Sequence, residues 1–356
     1  MKRRWKLAIA AAALVAGAVS VPVAYIEGGC RTPPADQAGA PPYRSILPPA
    51  DRRPLAATFL TYPEWHIVYE AESYARHLDR GAPPSAFPFG RHIASFWTSY
   101  CTVNQLTMGS PSASDYKLTI YTIGISYTAE LLVKAAYERS IGRLFESLSG
   151  WTSADDRHTA TVQRHYGAFL HETPWFRFPF GQALRDEWRT DEPVQHARHW
   201  ERRFALSAEY GVKALYAKAI DAATGATVGH DETTLRFVAR AAPQALRAVD
   251  PRIVPIGSNA DGLTIAQAPR YQQFNDILGK LADARIDLME IAGNGEIFVT
   301  LLLPATAAPP GKVRLSLPID RAGWRRVGIV VPVRALTATL RQVRQSGGEV
   351  EHVYDY

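Results

Sequence analysis

Twenty consecutive residues, Leu7–Ile26, carry no charge, and they follow a basic flank of Lys2, Arg3, Arg4 and Lys6. No other feature restricts the chain as much. A helix rises about 1.5 Å per residue, so about twenty apolar residues cover the hydrocarbon core of a bilayer. Positive charge on the N-terminal side holds that side in the cytoplasm. Residues 1–6 therefore read as the flank and 7–26 as a membrane-anchor helix or signal peptide. The expectation is a single-pass signal-anchor protein, bound to the membrane through this helix, with its body on the far side. Cleavage at Ala16-Gly17-Ala18, or lipidation at Cys30, would deliver the body to the same side.

The remaining charge excludes one class of partner. The chain carries +6 overall, four positive charges lie in the flank and Glu27 offsets one, so residues 31–356 carry +3. No Lys/Arg stripe interleaved with aromatics is present, so nucleic acid is not an expected partner. A protein partner in the membrane or beyond it is. Cys30 and Cys101 are the two cysteines. They can pair in an oxidising compartment or remain separate thiols, and spacing alone leaves both open.

Residues 31–54 are rich in proline and read as an extended, stiff linker that stands the body off the bilayer. Residues 55–225 carry helical periodicity. Thr61-Tyr62-Pro63-Glu64 reads as a capping box, Ser114–Ser149 as one long central helix with neighbours all round, and Asp155 and Asp156 as first-turn acids of the next helix. Residues 226–356 alternate strands and helices. Leu288–Ile291 and Ile297–Leu303 read as a hairpin across Asn294-Gly295. The predicted fold class is a helical domain followed by a ferredoxin-like α+β sandwich domain.

Four stretches resemble a known family: residues 61–68 (TYPEWHIV), 123–130 (IGISYTAE), 290–294 (EIAGN) and the terminal 351–356 (EHVYDY). The chain is similar there to a bacterial family of conserved, N-terminally membrane-anchored proteins of undescribed function. The resemblance implies the bacterial inner membrane, with the body in the periplasm. It implies no activity, cofactor or catalytic residue.

The chain contains no nucleophile elbow, Walker loop, dinucleotide fingerprint, zincin helix or paired-cysteine motif. No cofactor is expected. The candidate chemistry clusters on one helix: Glu64, His66, Glu70 and His77. His66 and Glu70 are four apart and share a face, as weak metal-ligand candidates. Glu64, His66 and Glu130 are the acid/base candidates for a hydrolase-like or metal-dependent enzyme. Glu130 and Lys134 are also four apart and read as an ion pair. An aromatic stretch, Trp175–Phe180, reads as packing between helices. The leading functional expectation is a non-enzymatic module that binds a partner or ligand, with an accessory subunit of a membrane complex as a further alternative.

Overall fold

The computed structural model describes residues 17, 20–32, 34, 43–108, 113–149, 154–173, 175–189, 196–224 and 233–354. A helical N-terminal region precedes two small antiparallel sheets. Contacts divide the chain into two units. The first is built from Glu64–Trp97 and Thr122–Val228, the second from Val23–Pro63, Thr98–Tyr121 and Gly229–Tyr356.

The helices are α1 (Leu55–Thr61), α2 (Trp65–Asp79), α3 (Phe89–Leu106), α4 (Ala113–Tyr137), α5 (Arg143–Ser149), α6 (Ala154–Leu170), α7 (Phe180–Glu187) and α8 (His196–Thr224). Tyr62–Glu64 form a 3-10 turn ahead of α2, and Glu64, at the N-cap, makes no side-chain capping hydrogen bond. The long helix expected over 114–149 is interrupted. Glu138–Gly142 form a π-helical turn between α4 and α5. Gly142 makes this possible, because a Cβ there would lie 2.5 Å from the Glu138 carboxylate. The widened turn carries Glu138 inward to a buried arginine.

The second unit continues with β1 (Thr234–Ala239), α9 (Pro243–Val249), β2 (Val254–Ser258), β3 (Thr264–Pro269), α10 (Gln272–Asp283) and β4 (Leu288–Ile291). Then come β5 (Glu296–Pro304), β6 (Val313–Pro318), β7 (Trp324–Pro332), α11 (Val333–Gln345) and β8 (Glu349–Val353). The sheets have the orders β2-β3-β1-β4 and β6-β7-β5-β8. The second order is the first with every strand number raised by four, an internal repeat that the residues do not advertise. One apolar core takes Phe237 and Ala266 from the first sheet, Val299 and Ile329 from the second, and Phe274 and Leu340 from α10 and α11.

The expected hairpin is corrected. β4 pairs with β1, whereas β5 pairs with β7 and β8. Ala292 (φ 47°) and Gly293 (φ 82°) turn the chain before Asn294-Gly295. The strands therefore leave in different sheets, and only an isolated bridge joins Ile291 and Asn294.

The membrane anchor is corrected as well. No helix among the described residues is long and apolar enough to cross a membrane. This overturns the single-pass signal-anchor helix and with it the inner-membrane placement. Residues 7–16, 18 and 19 of the expected span lie outside the described residues. Its described end, 20–26, continues as helix to residue 29. Within the second unit Ile26 is fully buried, and Glu27 accepts hydrogen bonds from Tyr121 (2.8 Å) and Arg31 (2.7 Å). Cys30 and Cys101 are joined, with Sγ atoms 2.06 Å apart.

The end of the proline-rich segment is built into the same unit. The buried Glu290 carboxylate on β4 accepts from the Tyr43 hydroxyl (2.9 Å), the Ser45 hydroxyl (3.0 Å) and the backbone N–H groups of Ile46 (2.9 Å) and Leu47 (2.8 Å). Leu47 completes a small core with Val238, Leu263 and Met289. Four donors on one carboxylate clamp this stretch rather than leave it as a spacer.

Candidate functional site

Charge sits inside the helical unit, and α8 organises it. Arg198, Glu201 and Arg202 face inward at i, i+3 and i+4. The Arg202 guanidinium forks onto Glu138 (2.8 and 3.1 Å) and onto Glu201 (2.6 and 3.0 Å). Arg198, fully buried, reaches Glu201 (2.7 Å) and Asp156 (3.3 Å). Burial works against ionisation of Glu201, but donation from Arg202 and from the Tyr137 hydroxyl (2.6 Å) outweighs it, so the carboxyl lies below its ordinary range. Asp156 is thus both a first-turn acid of α6 and an ion-pair partner deep in the unit.

A second network lies further along α8. Lys213 binds Glu130 (2.7 Å) and Glu209 (3.2 Å), and Lys134 binds Glu209 (3.0 Å). The pair read as Glu130–Lys134 is therefore opened out, each residue taking its partner from α8. Burial raises Glu209, yet the two lysines pull it down to about 2.

The residues expected as the acid/base set each have surroundings of their own. The ring of His66 is buried among aromatics, with Tyr69 at 5.6 Å and Phe96 at 6.4 Å between centroids. Glu70 turns toward the second network. Burial raises its carboxyl, Lys134 and His92 oppose the rise, and its Oε1 receives no hydrogen bond. Glu64 is half-buried, and burial alone raises it to about 7, with no charge from His66 or Glu130 contributing. His77 Nε2 lies 2.8 Å from the Pro83 carbonyl oxygen. No group of three or more metal-binding side chains is arranged to hold an ion among the described residues.

One cluster escaped the sequence reading. Asp155 on α6 and Glu187 on α7 are both fully buried. His199 Nδ1 lies 2.8 Å from Asp155, and His158 Nε2 is 3.7 Å from Glu187. Neither Glu187 oxygen receives a hydrogen bond from any N–H or hydroxyl group. Burial, then the adjoining Asp155 carboxyl, push Glu187 up to about 9. Glu187 is therefore the acid of the two that keeps its proton to higher pH.

That assignment has a signed consequence. A carboxyl whose folded position lies above its unfolded one favours the fold at low pH and loses that contribution as pH rises through 9. Acidification from pH 8 to pH 5 is expected to stabilise the helical unit by on the order of 3 kcal/mol through Glu187. Below about pH 4 the depressed Glu209 reverses the trend. Urea midpoints across pH 5–8 check this. Glu187→Gln should flatten the profile, and an unchanged slope would reassign the proton.

The outward face of α4, the π turn and α5 is unlike the interior. The expectation of neighbours all round fails here: Val133 is 68% exposed, Leu144 55% and Leu148 69%. Leu132 and Ile141 are exposed too. Glu138 and Glu146 from this stretch are turned inward and buried, whereas Arg139 and Arg143 stay outside. Neither arginine forms an ion pair among the described residues.

No family model matches the chain, and neither a curated protein nor a solved structure does.

Proposed function

We propose that this protein is a protein-binding module, the accessory component of a larger assembly, and that its helical unit presents the binding face. The observation that carries the reading is the apolar stripe Leu132, Val133, Ile141, Leu144 and Leu148. Exposed leucines and valines at helical spacing are unusual on a surface that has no partner. The acids of the segment serve the interior, and two cations remain outside. The complementary occupant is an amphipathic helix with an apolar seam and acidic flanks. The second unit fits the role of a rigid scaffold. We read β1–β4, and again β5–β8, as ferredoxin-like, since each strand order matches that fold from the opposite edge. A loop replaces the first helix in the second set.

The test uses a fluorescent eighteen-residue peptide with leucines at helical spacing and glutamates on both flanks, and its lysine-flanked counterpart. The acidic peptide is expected to bind at least tenfold more tightly, a difference of about 1.4 kcal/mol. Leu144→Glu with Leu148→Glu should abolish binding while the urea midpoint stays within about 0.5 kcal/mol of the parent, since both positions face outward. Equal affinity for the two peptides would remove the charge argument. A concentration-dependent dimer lost in the same variant would assign the face to a second copy and overturn the proposal.

A further inference from the structure

The aromatic stretch Trp175–Phe180 does more than fill space. Trp175–Arg177 form a 3-10 turn, closed by the Phe178 N–H on the Trp175 carbonyl (3.1 Å). Phe178 is fixed edge-on against Tyr166 (5.0 Å), Phe169 (5.4 Å) and Phe180 (4.9 Å). Trp175 packs on Tyr216 at 5.4 Å. These contacts fix the turn against α8 and leave beside it a cleft of about 460 Å³, lined by Phe176, Arg177, Phe178, Ala214, Ala217 and Lys218.

The sequence explains the concavity. Ala214, Ala217 and Lys218 are three and four apart, so they share a face of α8. Two of the three are alanines, which leave room opposite the phenylalanine rings. The volume is in the ordinary range for a small-molecule site. The lining holds two cations and no carboxylate. Lys218 is in no ion pair among the described residues, whereas the other lysine of α8, Lys213, meets Glu130 of α4 and Glu209 of α8. An exposed lysine beside an apolar cleft is complementary to a ligand that brings an acid with it.

We infer that this cleft binds a small anionic amphiphile, a free single-chain carboxylate whose tail lies between Phe178 and the alanines and whose head meets Lys218 and Arg177. The tail gains from leaving water, and the head contributes orientation and charge selection. Both cations lie at the mouth of an open cleft, so each contributes only modestly.

The probe is dodecanoate, titrated into the full chain by calorimetry below its micellar concentration. Saturable binding at one site is expected. Acetate, which has the head without the tail, should show no saturation. Dodecyl maltoside, with the tail and an uncharged head, should bind about tenfold more weakly. Lys218→Gln and Arg177→Gln should each weaken dodecanoate about threefold and together about tenfold, while Lys218→Arg retains affinity. Both side chains are exposed, so the fold survives their loss. No saturable dodecanoate binding would overturn the site. Equal affinity for the maltoside, or an unaffected double variant, would overturn the anion selection. The cleft and the α4–α5 stripe use different residues, so bound dodecanoate should leave the acidic peptide in place.

Discussion

Replacing Arg202 by methionine is expected to destabilise the helical unit by about 4 kcal/mol, near the largest effect a single side chain can have. The guanidinium donates to four carboxylate oxygens on Glu138 and Glu201. Methionine fills much of the same volume, so the loss is electrostatic rather than a cavity. It leaves Glu138 at 5% exposure with no cation bonded to it, only the more distant charge of Arg198, and releases the π turn that brings it inward. Glu201 keeps Arg198 and Tyr137 and suffers less. Two companions sharpen the test. Arg202→Lys keeps the charge and loses the fork, and should cost about half as much. Glu138→Gln in the Arg202→Met background removes the stranded charge and should recover at least 1 kcal/mol. Urea unfolding followed by circular dichroism measures all three. A loss below about 1 kcal/mol for Arg202→Met would show that the network is solvated and not a structural element.

That network marks where sequence reading stops. Local pattern found the elements of the second unit well: a strand expected at Ile297–Leu303 runs Glu296–Pro304, and the strand expected at Leu288–Ile291 is found there. It did not find their pairing. Asn294-Gly295 is a strong local hairpin signal, but the turn is made earlier, at Ala292 and Gly293. β5 instead gains burial on both faces between β7 and β8. Non-local burial outweighed turn chemistry, which is why the two strands of the expected hairpin lie in different sheets. In the helical unit too, the local reading held and the long-range partners did not show. Asp155 and Asp156 have the look of first-turn acids, and their partners His199 and Arg198 lie more than forty positions later. No spacing rule connects them. The one local hint was the run Arg198-His199-Trp200-Glu201-Arg202, with its charges at i, i+3 and i+4. The uncharged stretch of α4 also misled. Absence of charge over residues 118–129 reads as complete burial, yet Leu118, Thr119, Thr122 and Ser126 are exposed.

Reducing the Cys30–Cys101 bond is expected to cost the second unit about 4 kcal/mol, from the chain entropy returned to the unfolded state by opening a loop of 71 residues. The bond stands where a membrane span was expected to end, and it gives that stretch a different role. Ile26 is buried, Glu27 is held by Tyr121 and Arg31, and the Cys30 carbonyl accepts from the Asn104 amide (2.9 Å). The helical residues 23–29 are thereby a packed part of the unit, and the disulfide fixes their end. Cys30→Ser with Cys101→Ser should lower the urea midpoint as much as reductant lowers that of the parent, and reductant should then have no further effect on the variant. The native-state contacts of Glu27 and Asn104 remain, so the variant is expected to fold. Its hydrogen-exchange protection should fall most over residues 20–32, because these lose their covalent tie to α3. Equal midpoints with and without the bond would mean that packing alone holds the stretch, and that the crosslink restricts a loop already compact in the unfolded chain.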